Sequence, residues 1–242
     1  MSREPQLSGQ TVLVIGGSSG IGLETARGAR LEGAEVILTG RDTDGVHAAG
    51  LELEASIAAF DPVDFDRLGR FFAELPGPID HVLLSGGGAC YAPFAELELE
   101  QARRHAERDL LLPLRIAQLS TRAIRPGGSV VLIGVTEGRR PAAGPLVSAI
   151  TAALPTLTRS LALELAPVRV NLVVPGFVDT SRSAEVLGDQ LDARREQLRA
   201  TLPIGRVVSP GDVAAAVLHL MTNSAVTGAT FDVDGGQQLV LV

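Results

Sequence analysis

Three glycines, Gly16, Gly20 and Gly22, follow the apolar run at 11–15 in the spacing G-x-x-x-G-x-G, with Ser18 and Ser19 between them. Glycine reaches φ > 0 and lets backbone approach a ligand closely, and the first N–H groups of a helix lack intrahelical partners at the positive end of its dipole. Together these suit a phosphate, to which the two hydroxyls add donors. Between the first strand and first helix of an alternating α/β chain, the pattern reads as the phosphate elbow of a dinucleotide site. About twenty residues on, such a site commonly presents an acid to the ribose 2′-OH. Here the next apolar run ends Leu38-Thr39-Gly40-Arg41, with no acid at its end. A guanidinium matches a 2′-phosphate by charge and forked donors, so Arg41 points to NADP(H) over NAD(H). The adjacent Asp42 would blunt that preference, and a solvated surface arginine is the alternative.

Other reactive groups are sparse. All 21 basic residues are arginine, and Tyr91 is the single tyrosine. His47, His81, His105 and His219 lie on different elements without ligand-like spacing, so no metal site is expected. Cys90 stands alone, which excludes an internal disulfide, fits a reducing compartment and reads as an inert thiol. A net charge of −7 argues against nucleic acid or anionic membrane as partner. No uninterrupted apolar run reaches a membrane-spanning length of roughly 18 residues. Residues 1–10 are polar rather than signal-like, and a cytoplasmic location is expected.

The elements that must position these groups alternate between short Val-, Ile- and Leu-rich runs and longer helical stretches, as in βαβ units around a parallel sheet. Strands are expected at 11–15, 35–39, 58–60, 81–84, 129–133, 169–174 and near 230–233. Helices are expected from the elbow at 16–22 to about residue 32, after residue 41, and at 65–74, 99–122, 148–165 and 211–221. Residues 181–205 read as a mobile, partly helical insertion. Without linker or repeat, the 242 residues form one doubly wound α/β domain with helices on both faces.

Read in order, these motifs resemble the short-chain dehydrogenase/reductase family across residues 8–239. Ile15-Gly16-Gly17-Ser18-Ser19-Gly20-Ile21-Gly22 is similar to that family's TGxxxGIG turn, with Ile15 for its threonine. Asp61 resembles the family acid that contacts the adenine amino group. Ser85-Gly86-Gly87, after Leu84, stands where the family has NNAG. Arg169-Val170-Asn171 leading to Pro175-Gly176-Phe177-Val178-Asp179-Thr180 is similar to RVN…PGxVxT, in which the backbone at Val178 and the Thr180 side chain would hold the nicotinamide carboxamide. The segments at 209–214 and 227–236 fit as well. The resemblance implies a nicotinamide cofactor and a homodimer or homotetramer packed through the long helices and residues 148–165.

The family's chemistry uses Asn, Ser, Tyr and Lys: Tyr protonates the oxygen of a reduced carbonyl, and a neighbouring ammonium lowers its pKa. Residues 148–154 (SAITAAL) resemble the family's SASKAAL, which sets Val147 at the Tyr position and Thr151 at the Lys position. With no lysine in the sequence, a YxxxK motif is impossible in any register. The Ser position falls on Gly134 or Val135, with Thr136 nearby, and Asp109 takes the Asn position. Asp109 is either a buried general base or a carboxylate paired with an arginine. Tyr91 and Cys90 could border the active-site mouth, and Arg139 and Arg140 are surface charge or contacts for an acidic substrate. No catalytic residue is assigned. The expectation is an NADP(H)-binding oxidoreductase for a carbonyl or alcohol of unknown identity. The alternatives are an inactive cofactor-binding subunit or sensor, or a non-redox lyase or isomerase.

Overall fold

A computed structural model describes residues 5–86, 94–140 and 143–240. Seven parallel strands form one sheet in the order β3-β2-β1-β4-β5-β6-β7. They are β1 (Thr11–Ile15), β2 (Glu35–Gly40), β3 (Ser56–Ala59), β4 (Ile79–Leu84), β5 (Ile124–Ile133), β6 (Arg169–Pro175) and β7 (Thr230–Val233). The helices are α1 (Gly20–Leu31), α2 (Thr43–Leu53), α3 (Phe65–Ala73), α4 (Leu99–Ala106), α5 (Leu112–Ala123), α6 (Pro145–Glu164), α7 (Ser181–Leu187), α8 (Leu191–Thr201) and α9 (Pro210–Thr222). Strand order reverses between β1 and β4, and ligands of such sheets bind beyond the carboxyl ends of the strands at that switch.

The strands are apolar on both sides because both faces are covered. Leu13 and Ile15 of β1 turn to a core shared with α3, α5 and α6, through Leu68, Ile116 and Leu154. Val12 and Val14 turn to the opposite core, built with α1 and α9 through Ala26, Ala29, Val213 and Val217. Small residues on α1 and α9 let these helices sit close against the sheet. Below the strands, the buried Arg169 guanidinium donates to the carbonyls of Leu220 (2.5 Å) and Met221 (2.7 Å), supplying donors the end of α9 otherwise lacks.

Most expected elements lie within a residue or two of their observed bounds. The third strand shifts toward the start of the chain: 58–60 was expected and Ser56–Ala59 forms, because pairing with β2 begins at Ile37 and Ser56. Phe60 leaves the strand to pack its ring 5.3 Å from that of Phe71. β5 begins five residues early, where Ile124 pairs Ile79 before a bulge. The stretch expected at 99–122 is helical throughout but widens to one π-helical segment over Glu107–Leu111. The insertion at 181–205 carries two helices, α7 and α8. By length and composition α6 is a helix that could cross a membrane. Polar residues interrupt it, and Val147, Ile150, Leu154 and Leu161 on its inner face are buried against the sheet.

Candidate active site and cofactor cleft

The glycine elbow has the geometry its composition demands. Gly16 (φ 87°) and Gly20 (φ 54°) occupy the left-handed region that L side chains avoid. A Cβ added to Gly16 would lie 1.5 Å from the Ser85 carbonyl oxygen, and one added to Gly22 would lie 2.0 Å from the Gly16 carbonyl oxygen. Both approaches are backbone on backbone, so only glycine fits. The elbow is pinned by hydrogen bonds from the Gly16 and Gly17 N–H groups to the Thr39 carbonyl and from Ser85 N–H to the Ile15 carbonyl. Ser19 is exposed in extended conformation at the N-cap of α1 and gives no side-chain cap. The opening turn of α1 therefore keeps donors for an anion, with Ile21 beside them.

Some of the other expected residues lie at this elbow, and the rest have partners of their own. Ser85 and Gly86 lie against Gly16, and Thr180 lies against Gly20, where an added Cβ would meet its Cγ2 at 3.3 Å. Ser18 packs near Gly40, one residue before Arg41. Arg41 is exposed and forms no ion pair, either with Asp42 or elsewhere among the described residues. Asp61, exposed at the end of β3, accepts from the Val63 N–H at 3.2 Å. Pro175 and Val178 are buried, and Gly176 approaches Gln237, whose Oε1 accepts from the Phe177 N–H at 2.8 Å. The Thr180 hydroxyl caps α7, accepting from Ser183 N–H at 3.2 Å. Gly87, Cys90 and Tyr91 lie outside the described residues.

A cleft of about 450 Å³ opens between the elbow and the lid formed by α7 and α8, lined by Gly20, Asp179, Thr180, Ser181, Ala184 and Arg195 among others. Arg195 of α8 reaches across it with a forked pair of hydrogen bonds to Asp179, at 2.9 and 2.8 Å. The neighbouring Arg194 stacks over the Phe177 ring, 5.8 Å from its centroid. A larger cleft of about 580 Å³ between α3 and α5 sits at the amino ends of β4 and β5, away from these groups.

At the positions tied to hydride chemistry by resemblance, Val147 and Thr151 are buried on the first turns of α6. Asp109 lies in the π-helical widening, its carboxylate held by the Arg108 guanidinium at 2.9 and 3.0 Å. Of the two alternatives raised for Asp109, the structure shows the arginine pair. Arg139 forms a forked pair with Asp232, and Arg140 donates to the carbonyls of Gln237 (2.9 Å) and Val240 (3.2 Å). Among the described residues no group of three or more His, Cys, Asp or Glu could hold a metal.

One side chain passed unnoticed in the sequence. Glu137 opens the tight turn Glu137–Arg139 just beyond β5. The turn is fastened to the cleft side of the sheet by a hydrogen bond from Thr136 N–H to the Pro175 carbonyl at 3.1 Å. Its central Gly138 is so close to α6 that an added Cβ would lie 2.1 Å from Thr151 Oγ1 and 2.4 Å from the Val147 carbonyl oxygen. Burial pushes the Glu137 carboxyl above the ordinary glutamate value, against the opposing pull of a hydrogen bond from its own backbone N–H and of the Arg194 and Arg140 charges. An acid at the carboxyl end of a central strand was the only available signal.

Comparisons agree with this architecture. The family model described as enoyl-(acyl carrier protein) reductase matches residues 15–238. A short-chain dehydrogenase/reductase of Stachybotrys chlorohalonatus is 31% identical over 252 residues, covering 96% of this chain and 98% of that protein. The MalC reductase/Diels-Alderase of Malbranchea aurantiaca superposes with a TM-score of 0.88 at 28% identity, over 98% of this chain and 99% of that one. BdcA in complex with NADPH superposes with a TM-score of 0.85 at 29% identity, over 95% of each chain.

Proposed function

Because the chain belongs to the short-chain dehydrogenase/reductase family, we propose that it is an NADP(H)-dependent oxidoreductase for a carbonyl or alcohol substrate, working without the family's Tyr–Lys pair. The observation that carries this reading is the elbow, where two backbone approaches and an uncapped helix end leave room and donors for a pyrophosphate. The unpaired guanidinium of Arg41 supports the 2′-phosphate preference. So does the NADPH bound by the similar BdcA.

When bound, the reduced nicotinamide supplies a hydride to a carbonyl carbon. The chain's own residues do the rest. Gly16, Ser18, Ser19, Gly20, Ile21 and Gly22 hold the pyrophosphate, and Arg41 forks onto the 2′-phosphate. Asp61 would meet the adenine, and Ser85 and Gly86, which lie against Gly16, would form part of the floor, with Gly87 assigned by resemblance alone. Pro175, Gly176, Val178 and Thr180 keep the nicotinamide end in place. Closed over a bound cofactor, α7 and α8 would exclude water and so strengthen the polar contacts beneath them. Assembly as a homodimer or homotetramer through α5 and α6 is part of the proposal, supported by the exposed Leu114 and Leu163.

Calorimetric titration with NADPH and NADH, on the wild type and on Arg41→Ala, tests the cofactor assignment. A forked charge-assisted contact is worth about 1.5–3 kcal/mol, so Arg41→Ala should weaken NADPH roughly 10- to 100-fold and leave NADH nearly unchanged. Failure of both nucleotides to associate at millimolar concentration would sink the reading. A carbonyl panel then tests the chemistry through oxidation of NADPH. A second reading, a non-redox lyase or isomerase or an inactive cofactor-binding subunit, is favoured by the absence of any lysine. Substrate consumption with unchanged cofactor would single out the former.

A further inference from the structure

The proposed reduction leaves an alkoxide that must be protonated, and neither Val147 nor Thr151 carries an acid. Among the described residues, Asp109 is held by Arg108, Asp179 by Arg195 and Asp232 by Arg139. Glu137 differs from these three. It is partly buried, sits beyond the end of β5 on the turn packed against Val147 and Thr151, and forms no ion pair, although Arg140 and Arg194 lie within its electrostatic reach. A carboxylate kept only for solubility would face water, and one kept only for structure would be paired.

We propose that the carboxyl of Glu137 is the acid that protonates the substrate oxygen, an inference resting on the oxidoreductase reading above. In the reducing direction the O–H bond of the carboxylic acid breaks and its proton forms the new O–H bond of the alcohol. The bonding pair stays on the carboxylate, which takes its next proton from solvent. The hydride at carbon comes from the reduced nicotinamide, which is oxidised as the carbonyl is reduced. In the opposite direction the same carboxylate accepts the proton from the alcohol. Arg140, on the adjoining turn, and Arg194, on the lid, favour the carboxylate, while burial favours the acid, so the group can hold a proton and release it.

The first test needs no cofactor. Carbon-13 titration of the glutamate carboxyls in the full apo chain, with Glu137→Gln assigning the signal by difference, should place its midpoint above the ordinary 4.5. Arg194→Gln should move that midpoint further upward. The second test uses whichever panel carbonyl the wild type reduces fastest. Glu137→Gln should lower kcat about 10²- to 10⁴-fold while its melting temperature and NADPH affinity stay at wild-type values, and Glu137→Asp should recover part of the rate. A midpoint in the ordinary range, or a Gln variant with wild-type kcat, overturns the assignment of Glu137 alone. Wild-type protein that binds NADPH but oxidises it with no carbonyl overturns the oxidoreductase reading itself, and the acid with it.

Discussion

Replacing Gly16 by alanine separates what the elbow costs in backbone conformation from what it gains in close approach. The residue sits at φ 87°, where an L side chain costs about 1–2 kcal/mol. Its new Cβ would also lie 1.5 Å from the Ser85 carbonyl oxygen. No rotamer relieves that contact, because Ser85 N–H is bonded to the Ile15 carbonyl and Gly16 N–H to the Thr39 carbonyl, so the end of β4 must move. Overpacking of this kind costs about 1–3 kcal/mol. The stiffer unfolded chain returns about 0.4–1 kcal/mol. The net loss is about 2–4 kcal/mol, or a fall in Tm of about 4–15 °C for a chain of this size. Gly127 supplies the control: its φ of 85° is nearly the same, but nothing lies within 4 Å of an added Cβ. Gly127→Ala should cost only the conformational part and leave NADPH affinity untouched, whereas Gly16→Ala should weaken NADPH at least about 100-fold through misaligned donors. Calorimetric melts and nucleotide titrations of the two variants decide the matter. If Gly16→Ala is no worse than Gly127→Ala on both measures, the close approach is not what the elbow needs glycine for.

Two further expectations concern pH and the lid. His81 is buried, with Nδ1 2.9 Å from Ser129 Oγ and Nε2 2.7 Å from Gln10 Oε1, and burial, aided by the Arg169 charge, depresses its pKa from 6.5 to about 4. Its folded pKa lies below the unfolded one, so its contribution is complete above pH 6.5 and is lost as pH falls toward 4. That loss is about 3 kcal/mol in all, and His81→Gln should remove most of it from the difference between urea melts at the two ends; an unchanged difference refutes it. Arg195→Ala frees α8 from Asp179, so amide exchange across residues 191–201 should accelerate while global Tm moves by no more than about 2 °C; unchanged exchange would mean that the pair does not hold the lid.

What was legible in the sequence is what residue type encodes directly. Gly16 and Gly20 announce themselves by backbone angles that side chains avoid and Gly22 by an approach that leaves no room for a Cβ, and the apolar runs of β1, β2 and β6 announce themselves because both of their faces are buried. Arg41 follows β2 by simple succession. The remainder depends on partners distant in the chain. Composition could not show that β3 starts at Ser56, since pairing with Ile37 decides it. Asp109 had two physically sound readings, and the choice between them waited on where a widened helical turn put Arg108. The lid appeared only as an irregular insertion, although Asp179 and Arg195, sixteen residues apart, tie it down. Glu137 carried no signal beyond its place after a strand, because its burial is made by other residues.

That dependence of Glu137 on its surroundings can be traced through one contact. Gly138 can lie against the opening of α6 only because it has no side chain and because Thr151 is small. Any side chain at 138 would meet both Thr151 Oγ1 and the Val147 carbonyl. Glycine at 138 is therefore what lets the turn that carries Glu137 lie against α6, and a larger residue there displaces that turn. The burial of Glu137 thus rests on the absence of a side chain at the residue that follows it.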